Sequence, residues 1–193
     1  MVGGVTIRPA ERREAAELAI LVDIAAHGFA TWLWYGAVQH GVTDTAFERG
    51  RNKLREEPGP GNWRDALVAE VDNEVAGLSL GYGVGPEAAE IVAGHPVLEP
   101  LLALQRQIVG HWFIESLGVY RHQRGRGIGK ALLAKEFERA GSAPVSLITE
   151  SHNGRAQALY RANGFGEAAR AEAVPLFEES KKHDWVLFTR KVA

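Results

Sequence analysis

The sequence predicts an α/β fold, with strands and amphipathic helices alternating along the chain. Three observations carry that prediction. His111 to Val119 is rich in aromatic and branched residues and reads as a strand. Ile128 to Ala140 repeats apolar residues at helical spacing through Ile128, Ala131, Leu132 and Phe137. Between them Gln123-Arg124-Gly125-Arg126-Gly127-Ile128-Gly129-Lys130 is a glycine-rich turn, so a strand leads through it into a helix N-terminus.

The remaining elements follow in order. Val5-Thr6-Ile7-Arg8 reads as a short first strand stopped by Pro9. Glu11 to Ile24 reads as a helix with Leu18, Leu21 and Val22 inward. Phe29 to His40 and Thr45 to Glu56 read as two further helices, the second opened by a Thr45-x-x-Glu48 capping box. Glu56-Glu57-Pro58-Gly59-Pro60-Gly61-Asn62 is a loop. Asp65 to Val71 and Glu74 to Gly81 form a hairpin around Asp72-Asn73. Residues 85–110 then separate this hairpin from the strand at 111 and hold a short helix, Leu98 to Val109. That segment reads either as a tolerated surface insertion or as a lid over an acceptor pocket, because long loops without structure tend to be functional. Ser146 to Glu150 is a strand after Pro144, and Trp185 to Val192 a last one.

Whole-chain properties narrow the function. At 193 residues one domain is expected, with enough chain to bury a core. With 46% hydrophobic and 24% charged residues, wholesale disorder is excluded. A net charge of −2 argues against a general nucleic-acid binder, which needs a basic excess. The chain has no cysteine, which removes disulfides, thiolate metal sites and a cysteine nucleophile, and fits a reducing cytoplasm. Met1-Val2-Gly3-Gly4-Val5 lacks the pattern of a signal peptide, and no apolar run reaches the roughly 18 residues of a membrane span. The histidines show neither H-x-x-x-H nor H-E-x-x-H spacing, so no metal site is expected.

The glycine-rich turn has a chemistry of its own. Its glycines let the backbone approach a ligand and turn N–H groups one way. First-turn amides and the helix dipole then favour an anion, most naturally a phosphate. Arg124, Arg126 and Lys130 add positive charge there. A P-loop needs a glycine and a Ser or Thr where Arg124 and Ala131 stand. A dinucleotide fingerprint, counted from Gly125 or from Gly127, needs glycine where Lys130 or Leu132 stands. Both nucleotide loops are therefore excluded.

The spacing that fits is Arg124-x-x-Gly127-x-Gly129 after Leu117-Gly118-Val119. It resembles the acyl-CoA-binding motif of the GNAT superfamily of N-acyltransferases, Q/R-x-x-G-x-G/A after a strand. Read alone it is also a plain strand-to-helix turn. A second stretch, Asn153 to Phe165, resembles the family's other signature, N-x-x-A-x-x-L-Y-x-x-x-G-F, at every one of those positions. Physically it is a helix with Asn153 as N-cap and Gly164 as its stop. The element order resembles that of the family over nearly the whole chain. The resemblance implies a single domain, 1–193, with a mixed, mostly antiparallel sheet splayed between its fourth and fifth strands and flanked by helices, and an insertion at about 85–110.

It also implies acetyl transfer from acetyl-CoA to a primary amine, by direct attack in a ternary complex. The backbone of Gly125, Arg126, Gly127, Ile128, Gly129 and Lys130 would hold the diphosphate, with Arg124 opening the motif. Leu117, Gly118 and Val119 would pair with the pantetheine arm, Gly118 offering no side chain to obstruct it. Asn153 would contact the arm, and Ala156 would leave room for it. Tyr160 matches the family's general acid, and its bland alternative is a core aromatic. For the base, His111, Phe113, Glu115, Leu117 and Val119 share a strand face, which makes Glu115 a carboxylate in an apolar row. Desolvation there would raise its pKa. Glu150, His152 and a water chain are rivals, and a structural carboxylate is the alternative. His27 to Tyr35 is dense in aromatics, as a cation–π cage for an ammonium or as helix packing.

The reading is thus an N-acetyltransferase acting on a small-molecule amine. Its alternatives are a protein N-terminal or lysine acetyltransferase and a catalytically silent acyl-CoA-binding regulatory module. No metal, nucleic-acid or membrane partner is expected, and a homodimer is a habit of the family.

Overall fold

The computed structural model describes residues 4–56 and 59–191. Met1, Val2 and Gly3 of the N-terminal reading, Glu57 and Pro58 of the loop, and Val192 of the last expected strand lie outside the described residues. Among the described residues seven strands and six α-helices follow one another as β1 (Thr6–Pro9), α1 (Ala15–Ala25), α2 (Phe29–Gln39), α3 (Ala46–Arg55), β2 (Ala66–Val71), β3 (Glu74–Gly83), α4 (Glu99–Gln105), β4 (Trp112–Val119), α5 (Ile128–Ala140), β5 (Val145–Glu150), α6 (Gly154–Ala162), β6 (Gly166–Glu172) and β7 (Asp184–Arg190). This is the mixed α/β class expected from the sequence, with β4 and β5 the parallel pair in a mostly antiparallel set. Two compact units divide the chain, residues 1–82 with 115–138 and residues 83–114 with 139–193, and the division falls inside β4.

In the first unit β1, β2 and β3 run antiparallel, and the end of β4 follows β3, with the Tyr120 N–H donating to the Ala76 carbonyl at 3.0 Å. The β2–β3 turn is tight because Asp72 and Asn73 both take left-handed conformations, φ 53° and 64°. Two such residues in succession match the twist of the flanking strands. Leu18 and Leu21 of α1 are fully buried with Val68, Leu78 and Leu80 of the strands. Each such leucine contributes roughly 1.5–3 kcal/mol by leaving water. Ile128 and Leu132 of α5 pack with Leu67, Ala69, Val71 and Ala76 in a second cluster, against which Leu117 and Val119 lie. Leu117 and Val119 go with α5, and Gly118 turns toward α1; Glu115, expected to share the face of Leu117 and Val119, instead meets Tyr82 of β3 and Lys53 of α3. The expected helix from Glu11 is a 3-10 turn over Arg12–Glu14 before α1, because the Glu14 carboxylate takes the Glu11 N–H at 2.7 Å and closes a tighter turn.

In the second unit β4 pairs with β5 from Trp112↔Val145 to Ile114↔Leu147, and β7 lies between β5 and β6. The expected helix Leu98 to Val109 is broken into a 3-10 turn Pro96–Leu98, α4, and a 3-10 turn Arg106–Ile108. The 85–110 segment is therefore structured, with Leu104 and Ile108 buried and α4 packed on β6 and β7. Among the described residues no helix is long and apolar enough to cross a membrane.

Candidate active site

The glycine-rich turn is open. Gly125 and Gly127 take φ of +83° and +80°, with nothing within 4 Å of where a Cβ would sit, and Arg124 through Gly127 are exposed. Left-handed backbone at two nearby positions is what these glycines supply. Ile128, 2% exposed, anchors the first turn of α5 in the core. The amides that open this 13-residue helix thus start from a fixed base beside an exposed loop. Arg124 Nε donates to the Val119 carbonyl at 3.0 Å, tying the loop back to the end of β4, and Arg126 bonds Gln123. The turn fits a diphosphate: free backbone at a helix N-terminus, with three cations around it.

Gly118 has a reason the sequence did not reveal. A Cβ on it would come within 2.5 Å of the Leu21 carbonyl of α1. Helix packing by itself requires the missing side chain.

Glu115 does not stand in an apolar row alone. Tyr82 Oη donates to its Oε2 at 2.7 Å, and Lys53 Nζ lies 4.0 Å from its Oε1, with the Glu115 side chain 29% exposed. Gly61, at φ +81°, presents its Cα side to the same carboxylate, where a Cβ would lie 3.1 Å from Oε2. The Asp65 carboxylate holds that backbone by accepting from the Gly61 N–H at 2.8 Å. Sequence reasoning missed Tyr82 and Lys53. Nothing local marks them, and only strand pairing and the course of α3 bring them to Glu115.

In the second unit, the helix signature is built from caps. Asn153 Oδ1 accepts from the Ala156 N–H at 3.2 Å, an N-cap bond to the third helical residue. At the other end the Phe165 N–H donates to the Tyr160 carbonyl and the Gly164 N–H to that of Arg161, each at 3.1 Å, with Gly164 at φ +85°. Those two bonds are a Schellman motif, and its usual apolar contact is the edge-on pairing of Tyr160 with Phe165, centroids 5.9 Å apart. Tyr160 also packs on Phe188 and is 7% exposed. Burial pushes its phenol up to about 12. Its ring is thus a core aromatic, while its hydroxyl has no hydrogen-bond partner among the described residues.

The rivals have partners of their own. His152 Nε2 lies 3.3 Å from Glu150 Oε2. His111 Nδ1 is 2.7 Å from Ser146 Oγ, and burial lowers its pKa below the ordinary histidine value. In the aromatic run, Phe29 stacks on Trp32 and buried Trp34 meets Phe47 edge-on, so these rings are used in packing among themselves.

Residues 42–165 match the family model described as Acetyltransferase (GNAT) family. The chain belongs to this family of acetyltransferases, whose members use acetyl-CoA as donor. Solved structures of the same fold include an N-acetyltransferase from Staphylococcus aureus Mu50, 20% identical over 95% of this chain and 99% of that one, TM-score 0.65. A ribosomal-protein-alanine N-acetyltransferase from Brucella melitensis is 22% identical over 97% and 99%, TM-score 0.61. A structure of histone acetyltransferase HPA2 and related acetyltransferase from Corynebacterium glutamicum ATCC 13032 is 20% identical over 100% and 98%, TM-score 0.63.

Proposed function

We propose that this protein transfers the acetyl group of acetyl-CoA to the primary amine of a small molecule, by direct attack in a ternary complex, and that residues 1–193 form one GNAT domain with 85–110 inserted. The observation that carries the reading is the open turn at 124–130, whose left-handed glycines and helix-opening amides suit a diphosphate. Leu117, Gly118 and Val119 would flank the pantetheine arm, with Asn153 and Ala156 at the start of α6. Acetyl-CoA supplies the thioester. The acceptor nitrogen forms the new C–N bond as the C–S bond breaks, one proton passing from the amine to the Glu115 carboxylate and one to the departing sulfur. Tyr160 supplies the second. With its phenol near 12, it stays protonated at neutral pH. A thiol ordinarily titrates at about 8.5, so the hydroxyl acts first as a hydrogen-bond donor to the sulfur as charge builds there. A half-buried Glu115 suits a small amine that enters the protein.

The test is a panel of small amines and peptides with acetyl-CoA, following released CoA with a thiol reagent. The chain has no cysteine and gives no background. Turnover on small amines supports the reading, and turnover on peptides alone replaces the acceptor by a protein N-terminus or lysine. Binding without turnover on any amine makes the protein a silent acyl-CoA module. A Glu115→Gln arm belongs in the same panel, and an unchanged pH–rate profile there removes Glu115 as the base.

A further inference from the structure

Beside the Glu115 region the first unit carries an open cleft of about 670 Å³, lined by Arg12, Asn52, Arg55, Glu56, Trp63 and Arg64. Among the described residues Glu56 is bonded to Arg49 at 2.8 Å, Glu11 to Arg13 at 2.7 Å, and Glu14 to Arg8 at 2.6 Å, so these three carboxylates are engaged elsewhere. Arg12 and Arg55 have no carboxylate partner among the described residues, and Arg55 feels the positive charges of Arg12 and Arg51. The Arg64 guanidinium lies over the Trp63 ring, 5.0 Å from its centroid, which holds a planar donor fork at the rim.

Two segments join this cleft to Glu115. Helix α3 sends Lys53 to Glu115 and lines the cleft with Asn52 and Arg55. The loop after it sets Gly61 against Glu115, and Trp63 and Arg64 follow in the cleft wall. Arg12 and Arg55 are like charges side by side with no carboxylate partner among the described residues, which favours an anion in the cleft.

We propose that this arginine cleft binds an anionic group, carboxylate or phosphate, of the acetyl acceptor, so that the enzyme prefers amines that carry one. The acceptor role rests on the acetyltransferase reading; the anion site does not. Two measurements separate them. In the first, an amino acid is compared with its decarboxylated amine, and an aminoalkyl phosphate with its aminoalcohol. In the wild type kcat/KM favours the anionic member of at least one pair, and that ratio falls about tenfold or more in Arg12→Ala/Arg55→Ala, with Arg12→Lys/Arg55→Lys between. The pair that responds identifies carboxylate or phosphate. A wild-type ratio near one, or a ratio the variant leaves unmoved, overturns the proposal.

In the second, inorganic phosphate is titrated by calorimetry into protein saturated with CoA, so that the diphosphate turn is occupied. Binding that the folded double variant loses supports the anion site even where no amine turns over, in which case the acetyltransferase reading fails and the cleft stands. No phosphate binding to the wild type, or equal binding to both proteins, overturns the cleft.

Discussion

In the turn before α5, Gly125 and Gly127 are left-handed with empty space around the missing side chains, whereas Gly164 beyond α6 is left-handed with Arg190 Nε 3.3 Å from where its Cβ would be. The same contrast extends to their neighbours. In the 153–165 signature, Asn153 and Ala156 share a cap bond, Gly164 and Phe165 close the Schellman turn, and Tyr160 fills the core. Nearly every residue of that motif has a task in the fold. In the 124–130 signature Ile128 is buried and Gly129 half-buried, and the other five residues are exposed. A motif whose residues the fold already requires is weak evidence for a ligand, and a motif the fold leaves unused is stronger evidence. The Asn153 amide donor and the Tyr160 hydroxyl of the 153–165 motif have no hydrogen-bond partner among the described residues.

The largest effect should come from the Tyr160 hydroxyl. Tyr160→Phe keeps the ring contacts with Phe165 and Phe188, so the melting temperature should stay within a degree or two, while kcat falls about a hundredfold or more and acetyl-CoA affinity changes little. Stopped turnover with a matched thermal melt checks this; equal losses in affinity and turnover would return Tyr160 to a purely structural role. The same variant has a signature in alkali. The wild-type phenol is neutral in both states below pH 10, and its folded pKa is raised to about 12, so its contribution to stability is intact below pH 10 and is lost as pH rises toward 12. The loss amounts to about 2–3 kcal/mol. Denaturant melts between pH 9 and 12 should therefore show a steeper decline for wild type than for Tyr160→Phe.

A middle-sized effect separates the two glycines. Alanine at Gly127 or at Gly164 meets the same left-handed strain, about 1–2 kcal/mol. Gly164→Ala also presses on Arg190, so it should lower the melting temperature by a few degrees and leave the acetyl-CoA Kd within about twofold. Gly127→Ala should raise that Kd about tenfold, because the strain is relieved only by moving the amides that hold the diphosphate. If calorimetry finds the same Kd for both variants, the contrast between the motifs disappears.

Most of the fold was legible because its elements obey local rules. The hairpin at Asp72-Asn73, the Thr45 cap and the apolar row of α5 are each written within a few residues. What escaped was non-local. The family's order implies a strand between α6 and the last strand, but its place was not legible. Gly166 to Glu172 is an exposed run of Gly, Ala, Glu and Arg with little strand propensity, made a strand by pairing with β7 through Glu172↔Asp184. Glu115 was visible as a carboxylate on its strand, but its Tyr82 and Lys53 neighbours were not, since they come from β3 and α3. Gly118 was visible as a glycine, but its close approach to the Leu21 carbonyl of α1 was not. The arginine cleft joins Arg12 to residues between Asn52 and Arg64, and no spacing announces it.

The smallest effect tests whether Asn153 is more than a cap. Asp accepts the Ala156 N–H as Asn does, so Asn153→Asp should hold the melting temperature, whereas Asn153→Ala should cost about 1 kcal/mol. The two differ from the wild type in a second way, because both remove the side-chain amide donor, which has no partner among the described residues. If that donor serves the cofactor arm, Asn153→Asp should raise the acetyl-CoA KM several-fold at unchanged stability. A wild-type KM in Asn153→Asp would mean that capping accounts for the residue in full, and that in this motif only the Tyr160 hydroxyl is free for chemistry.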